Sequence, residues 1–122
     1  MPKKLPGFSD FSKVEAEQIT DKITRRVVSG DQGMLVHWTI KKGAHAAAHK
    51  HPHEQIVWMI SGRMDFRIGN EKRSMVGGDT AVIPGGVEHE GHFPEDTVVI
   101  DFFAPPREDF LAGGPPPYMR KD

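Results

Sequence analysis

The sequence predicts an all-β fold, a sandwich or small barrel of short strands. Two observations carry this. Thirteen glycines and ten prolines punctuate short apolar stretches along the whole chain. Several of those stretches alternate apolar with polar residues at the period of two that a half-buried strand requires. About eight such segments recur at regular spacing, as in sandwiches and small barrels.

In chain order, residues 1–12 read as a loose arm or edge strand. Segment 13–23, KVEAEQITDKI, alone admits a helical reading, although Thr20 and Thr24 suit a strand equally well. RRVVS (25–29) is the first clear strand, ended by the turn Gly30-Asp31-Gln32-Gly33. MLVHWTI (34–40) places Met34, Val36, Trp38 and Ile40 on one face and Leu35, His37 and Thr39 on the other. Gly43 breaks it. QIVWMI (55–60) is apolar on both faces and stops at Ser61-Gly62. RMDFRI (63–68) alternates cleanly, with Met64, Phe66 and Ile68 inward. Gly69-Asn70-Glu71 leads to KRSMV, and Gly77-Gly78-Asp79 leads to TAVIP. TVVIDFF (97–103) is the last strong strand, stopped by Ala104-Pro105-Pro106. The organisation expected is an arm or edge strand (1–24), a barrel (25–111) and a Pro/Gly-rich arm (112–122) lying on the surface or on a partner subunit.

At 122 residues the chain has the size of one domain, near the range where dimerisation helps bury a core. A formal net charge of −1 offers no electrostatic case for a nucleic-acid or membrane partner. There is no cysteine, so disulfide and thiolate chemistry are excluded and any metal must be held by imidazole, carboxylate or amide groups. The amino-terminal MPKKLPGFSDF lacks an apolar run of signal-peptide length, and no segment approaches a membrane span. A cytoplasmic protein is the expectation.

The chemistry concentrates in HKHPHEQ (49–55), which holds His49, His51 and His53 with Glu54 and Gln55. On a strand, residues two apart face the same way, so His49 with His51 and His51 with His53 are both possible ligand pairs. Asp101 sits in the apolar run VVIDFF, where a carboxylate is costly unless it has a partner or a task. Arg107 follows Pro105-Pro106 at that strand's exit, where a guanidinium can grip a carboxylate with two parallel hydrogen bonds. His37 reads as a packed histidine and His45 and His92 as rim residues. Trp38, Trp58 and Met59 read as core or subunit contacts.

Two spaced motifs organise these residues. The first runs Gly43, five residues, His49-Lys50-His51, three residues, Gln55, six residues, Gly62. The second runs Gly78, five residues, Pro84-Gly85-Gly86, two residues, His89, with Phe93 where an asparagine is usual. In these offsets and their order the chain resembles the cupins. The resemblance implies a double-stranded (RmlC-like) jelly-roll barrel. In its mouth it implies one divalent transition metal (Ni, Mn, Fe, Co or Zn) held by His49, His51, Gln55 and His89, with His53 and Glu54 on the turn.

VHWTIKKGA (36–44), HKHPHEQ (49–55) and DFFAPPREDFL (101–111) are similar to a narrower group, the small cupins of pectin degradation. That group converts unsaturated uronates, released by pectate or alginate lyases, to linear keto sugars. It carries glutamine at the place of Gln55 and Asp, Phe and Arg at the places of Asp101, Phe103 and Arg107. The resemblance implies that these last three act on a carboxylated sugar, in an isomerase-type homodimer. A neutral amide in place of a carboxylate leaves the ion its full charge, which favours Lewis-acid over redox chemistry. Two other readings stand beside it: a three-histidine Fe(II) dioxygenase of a diketone or aromatic compound with Gln55 outside the ligand set, and a non-catalytic small-molecule-binding cupin.

Overall fold

A computed structural model describes residues 3–119. The outermost two residues of the amino-terminal arm and the last three of the Pro/Gly-rich tail lie outside the described residues. Ten strands run β1 Glu17–Gln18, β2 Ile23–Ser29, β3 Met34–Ile40, β4 His45–His49, β5 Glu54–Ser61, β6 Arg63–Ile68, β7 Glu71–Val76, β8 Thr80–Ile83, β9 His89–His92 and β10 Thr97–Ala104. A short helix α1 (Glu108–Ala112) follows, and two 3₁₀ turns cover Phe11–Lys13 and Pro117–Met119. The strands form a six-stranded sheet ordered β1-β2-β3-β10-β5-β8 and a four-stranded sheet ordered β4-β9-β6-β7. All the named strand pairs are antiparallel. Two such sheets face to face are a jelly roll. Among the described residues no helix is long and apolar enough to cross a membrane.

Alternation is why these strands pack as they do. Met34, Val36, Trp38 and Ile40 of β3 are all buried, as are Val99, Asp101 and Phe103 of β10. In β5 the inward face is Gln55, Val57 and Met59, while Ile56, Trp58 and Ile60 point out and are exposed. Each buried row removes apolar area worth ~25 cal/mol per Å² from water, and the rows meet in one core between the sheets.

The amino-terminal region differs from the helical reading of 13–23. Ile19 and Ile23 are both buried at a helix-like spacing, but a tight turn produces it: Lys22 N–H donates to Thr20 Oγ1 at 3.1 Å between β1 and β2. A hairpin brings both isoleucines to the core where a helix turn would have done the same.

Two details of the ladder position the site. The Pro84-Gly85-Gly86 segment docks on HKHP: Gly86 N–H donates to the His51 carbonyl at 2.8 Å. A Cβ at Gly85 would collide with the Pro52 carbonyl oxygen, so the two motifs meet through a contact only glycine allows. In the β4–β9 pair, His45 faces His92 and Ala46 faces Gly91, yet the next pair is His49 with His89. β4 thus carries one extra residue, a bulge that reverses which face its later side chains take.

Candidate metal centre

β4 delivers His49 at its end, the following turn delivers His51, and β9 opens on His89. One ring nitrogen from each lies within 4.8 Å of the others. The backbone sets their tautomers. His49 Nδ1 contacts the Ala47 carbonyl at 2.7 Å, His51 Nδ1 the His53 carbonyl at 3.1 Å, and His89 Nδ1 the Val87 carbonyl at 2.9 Å. A carbonyl only accepts, so each Nδ1 carries the hydrogen and each Nε2 presents a lone pair. Burial pushes the rings toward the neutral form: His49 falls to about 3 and His51 to about 4, each further depressed by its neighbours, and His89 is lowered for the same first reason. The result is three imidazoles biased to the neutral form, each with an Nε2 lone pair to offer. His89 Nε2 is buried without a hydrogen-bond partner, a group that needs a ligand or a cation.

Gln55, buried at the start of β5, offers an amide oxygen beside them. Its Oε1 lies 3.1 Å from His51 Nε2. With the His51 proton on Nδ1, two acceptors face one another, an arrangement a cation stabilises and a solvent-free pocket does not. The donor set of three imidazoles and one amide oxygen therefore fits a divalent transition ion.

Asp101 stands beyond Gln55 on the same cavity wall. Trp38 Nε1–H donates to its Oδ2 at 3.0 Å, whereas Oδ1 is buried without a partner. Desolvation raises its pKa to about 6, against the opposing pull of the Gln55 amide, the Trp38 indole and the Arg107 cation. Phe103, two residues on, lays its ring edge-on to His51 at 5.6 Å.

Arg107 is buried rather than loosely placed at the rim. Its Nε and Nη2 donate to the two oxygens of Asp109 at 3.1 and 2.8 Å, and Nη1 donates to Tyr118 Oη at 2.8 Å. Its guanidinium stacks 4.0 Å from the Phe110 ring centroid. The tail expected on the surface or on a partner instead crosses the mouth. Tyr118 stacks flat on His49, with centroids 3.6 Å apart and planes 6° from parallel, and Met119 is buried in the same cavity. Residue-by-residue reading missed Tyr118; its one signal was that it is the only tyrosine in the chain. Trp38 also does more than pack: its indole nitrogen is the hydrogen-bond donor to Asp101.

The structure brings His49, His51, Gln55, His89, Asp101, Phe103 and Arg107 to one cavity or its wall. His53 supplies a carbonyl to His51, and Glu54 is exposed at the start of β5. His37 lies against Phe11 at 5.1 Å, outside the histidine trio. His45 and His92, expected at the rim, instead stack on one another on the outer face of the four-stranded sheet, outside the cavity.

A jelly roll with a histidine trio in its mouth defines the class, and the chain belongs to the cupin family: a cupin-domain family model matches residues 36–103. Among its relatives, the pectin degradation protein KdgF of Dickeya dadantii (strain 3937) is 36% identical over 101 residues, covering 78% of this chain and 89% of that protein. Two solved structures share the fold closely. An RmlC-like cupin from Shewanella frigidimarina NCIMB 400 superposes with a TM-score of 0.83 at 28% identity, covering 88% of this chain and 98% of that one. KdgF from Halomonas sp. superposes with a TM-score of 0.80 at 28% identity, covering 87% and 99%.

Proposed function

We propose that this cupin is a metal-dependent isomerase that opens a 4,5-unsaturated uronate and tautomerises it to a linear keto sugar. The observation that carries the reading is the shared cavity wall: the histidine trio, the Gln55 amide and the partnerless Oδ1 of Asp101 face one space beside Arg107. The resemblance to KdgF, named for pectin degradation, supplies the substrate class.

His49, His51, His89 and Gln55 would hold the ion, which when bound supplies Lewis-acid polarisation of a substrate oxygen. Asp101 takes the proton of the anomeric hydroxyl as the bond between C1 and the ring oxygen breaks and C1 becomes an aldehyde. The electron pair released onto the ring oxygen leaves an enolate across C4 and C5, and Asp101 returns its proton to C4 as C5 becomes a ketone. Atoms and electrons balance within the substrate. Trp38 holds Oδ2, and Oδ1, which is buried without a partner, is the atom that would carry the proton. Arg107 already grips a carboxylate, that of Asp109, with two parallel hydrogen bonds. The substrate carboxylate would take that place, and Phe103 would wall the ring. Incubation of metal-loaded protein with a 4,5-unsaturated uronate, followed by loss of the conjugated absorbance, tests the reading; a rate equal to the buffer control would overturn it.

The working unit in this reading is a homodimer. Leu35, Ile56, Trp58, Ile60, Val82 and Phe102 are exposed on neighbouring strands of the six-stranded sheet, an apolar face of the kind that monomers rarely leave to water. An apolar face of this kind is self-complementary, and in this reading a second copy related by a two-fold axis covers it. Sedimentation equilibrium is expected to give a dimer that Trp58→Asp converts to monomer; a monomeric wild type at tens of micromolar sinks the idea.

A further inference from the structure

The strand pair that carries the inner histidines carries a second histidine pair on its opposite face. β9 alternates, so His89 and Gly91 point into the barrel while Glu90 and His92 point out. On β4 the bulge between Ala46 and His49 reverses the facing. Without it, His45 and His49, four residues apart, would share a face. With it, His49 turns inward to meet His89, and His45 turns outward to stand directly across from His92.

The outer group is compact. The two rings stack with centroids 4.2 Å apart and planes 8° from parallel. Glu90 Oε2 lies 2.7 Å from His45 Nε2 and 3.7 Å from His92 Nε2. One ligand atom from each of the three lies within 4.8 Å of the others. The Glu90 carboxylate is divided in use. Oε1 faces Arg67 at 3.5 Å, and Arg67 is itself bonded to Glu88 at 2.9 Å, which leaves Oε2 to the histidines. On the far side of His92, Asp65 of β6 adds a further carboxylate, already paired with Arg63.

We propose that His45, Glu90 and His92 form a second divalent-metal site, on the outer face of the four-stranded sheet, for a borderline ion such as Zn²⁺, Ni²⁺ or Cu²⁺. Two imidazoles and one carboxylate are a common ligand set for these ions, with water completing the coordination. The stacked rings must splay for both Nε2 lone pairs to converge. That motion uses only the soft, two-fold χ2 torsions of partly exposed side chains, while the paired strands stay fixed. An ion here would clasp β4, an edge strand, to β9 beside the bulge that orients His49. The proposal is independent of the catalytic reading, since the outer residues do not line the inner cavity.

Equilibrium dialysis of chelator-stripped full-length protein against Zn²⁺ tests it. Wild type is expected to take up two equivalents per chain, and His45→Ala/His92→Ala one, with the circular dichroism spectrum and any uronate turnover unchanged. His49→Ala/His89→Ala is also expected to retain one equivalent. Should wild type bind one equivalent that the outer variant loses, the outer site stands and the inner metal centre fails. An outer variant that binds as much zinc as wild type overturns the proposal. So does outer binding weaker than roughly millimolar.

Discussion

Asp101→Asn is expected to lower uronate turnover by at least ~10²-fold, the contribution of a positioned proton carrier, while metal uptake at the inner site stays the same. Asparagine keeps an oxygen for Trp38 Nε1–H but cannot take and return a proton. The same change is expected to stabilise the metal-free protein at alkaline pH. Burial raises the Asp101 pKa from 3.8 to about 6. A carboxyl whose folded pKa lies above its unfolded value contributes stability that is fully present below 3.8 and is lost as pH rises through about 6. At pH 8 the wild type therefore carries the whole cost of burying the charge, about 3 kcal/mol at most, and the variant does not. Urea denaturation in chelator at pH 8 and pH 4 should show the variant's advantage shrinking by about 2 kcal/mol toward acid. Comparison with wild type cancels the histidines, which titrate in both proteins. Full turnover in the variant would remove Asp101 from the mechanism; an advantage independent of pH would remove the buried charge as its cause.

Arg25→Ala is expected to cost about 3–5 kcal/mol of stability, the range for breaking a buried ionic contact. Arg25 is fully buried on β2. It pairs with Glu17 at 3.3 Å, donates to the Gly114 carbonyl at 3.2 Å, and stacks 4.4 Å from the Phe110 ring centroid. Arg107 stacks on the same ring at 4.0 Å, so two guanidiniums clamp Phe110 and with it the chain that crosses the cavity mouth. The variant should lower the urea midpoint and expose the Gly113-Gly114 link to proteolysis. A wild-type midpoint together with wild-type proteolysis would show that the tail is held elsewhere.

Much of the barrel was legible because its information is local. Period-two alternation identified β3 and β6 and the face each would bury, and Gly/Pro turns marked the strand ends. The inner histidine strands were legible differently. HAAAH and HEGH have little β-propensity, and the offsets of the two motifs singled out His49 and His89 within them without marking either segment as a strand. Segment 13–23 stayed open between helix and strand; the structure forms an edge strand and a turn there, and the turn brings Ile19 and Ile23, four apart, to one core as a helix would. Tail residues 112–119 misled for a related reason: a Pro/Gly-rich composition predicts an extended chain but does not say what that chain lies against.

By itself the sequence determined the fold class, the cupin resemblance and the residue types of the inner site. These depend on spacings within single strands and short turns, where side-chain direction follows from backbone geometry. Only the tertiary structure decided that Tyr118 covers His49, that Arg25 reaches Gly114, and that one bulge sends two histidine pairs to opposite faces. Each is a contact between segments brought together by sheet closure, and no local preference of either segment records which partner it will meet.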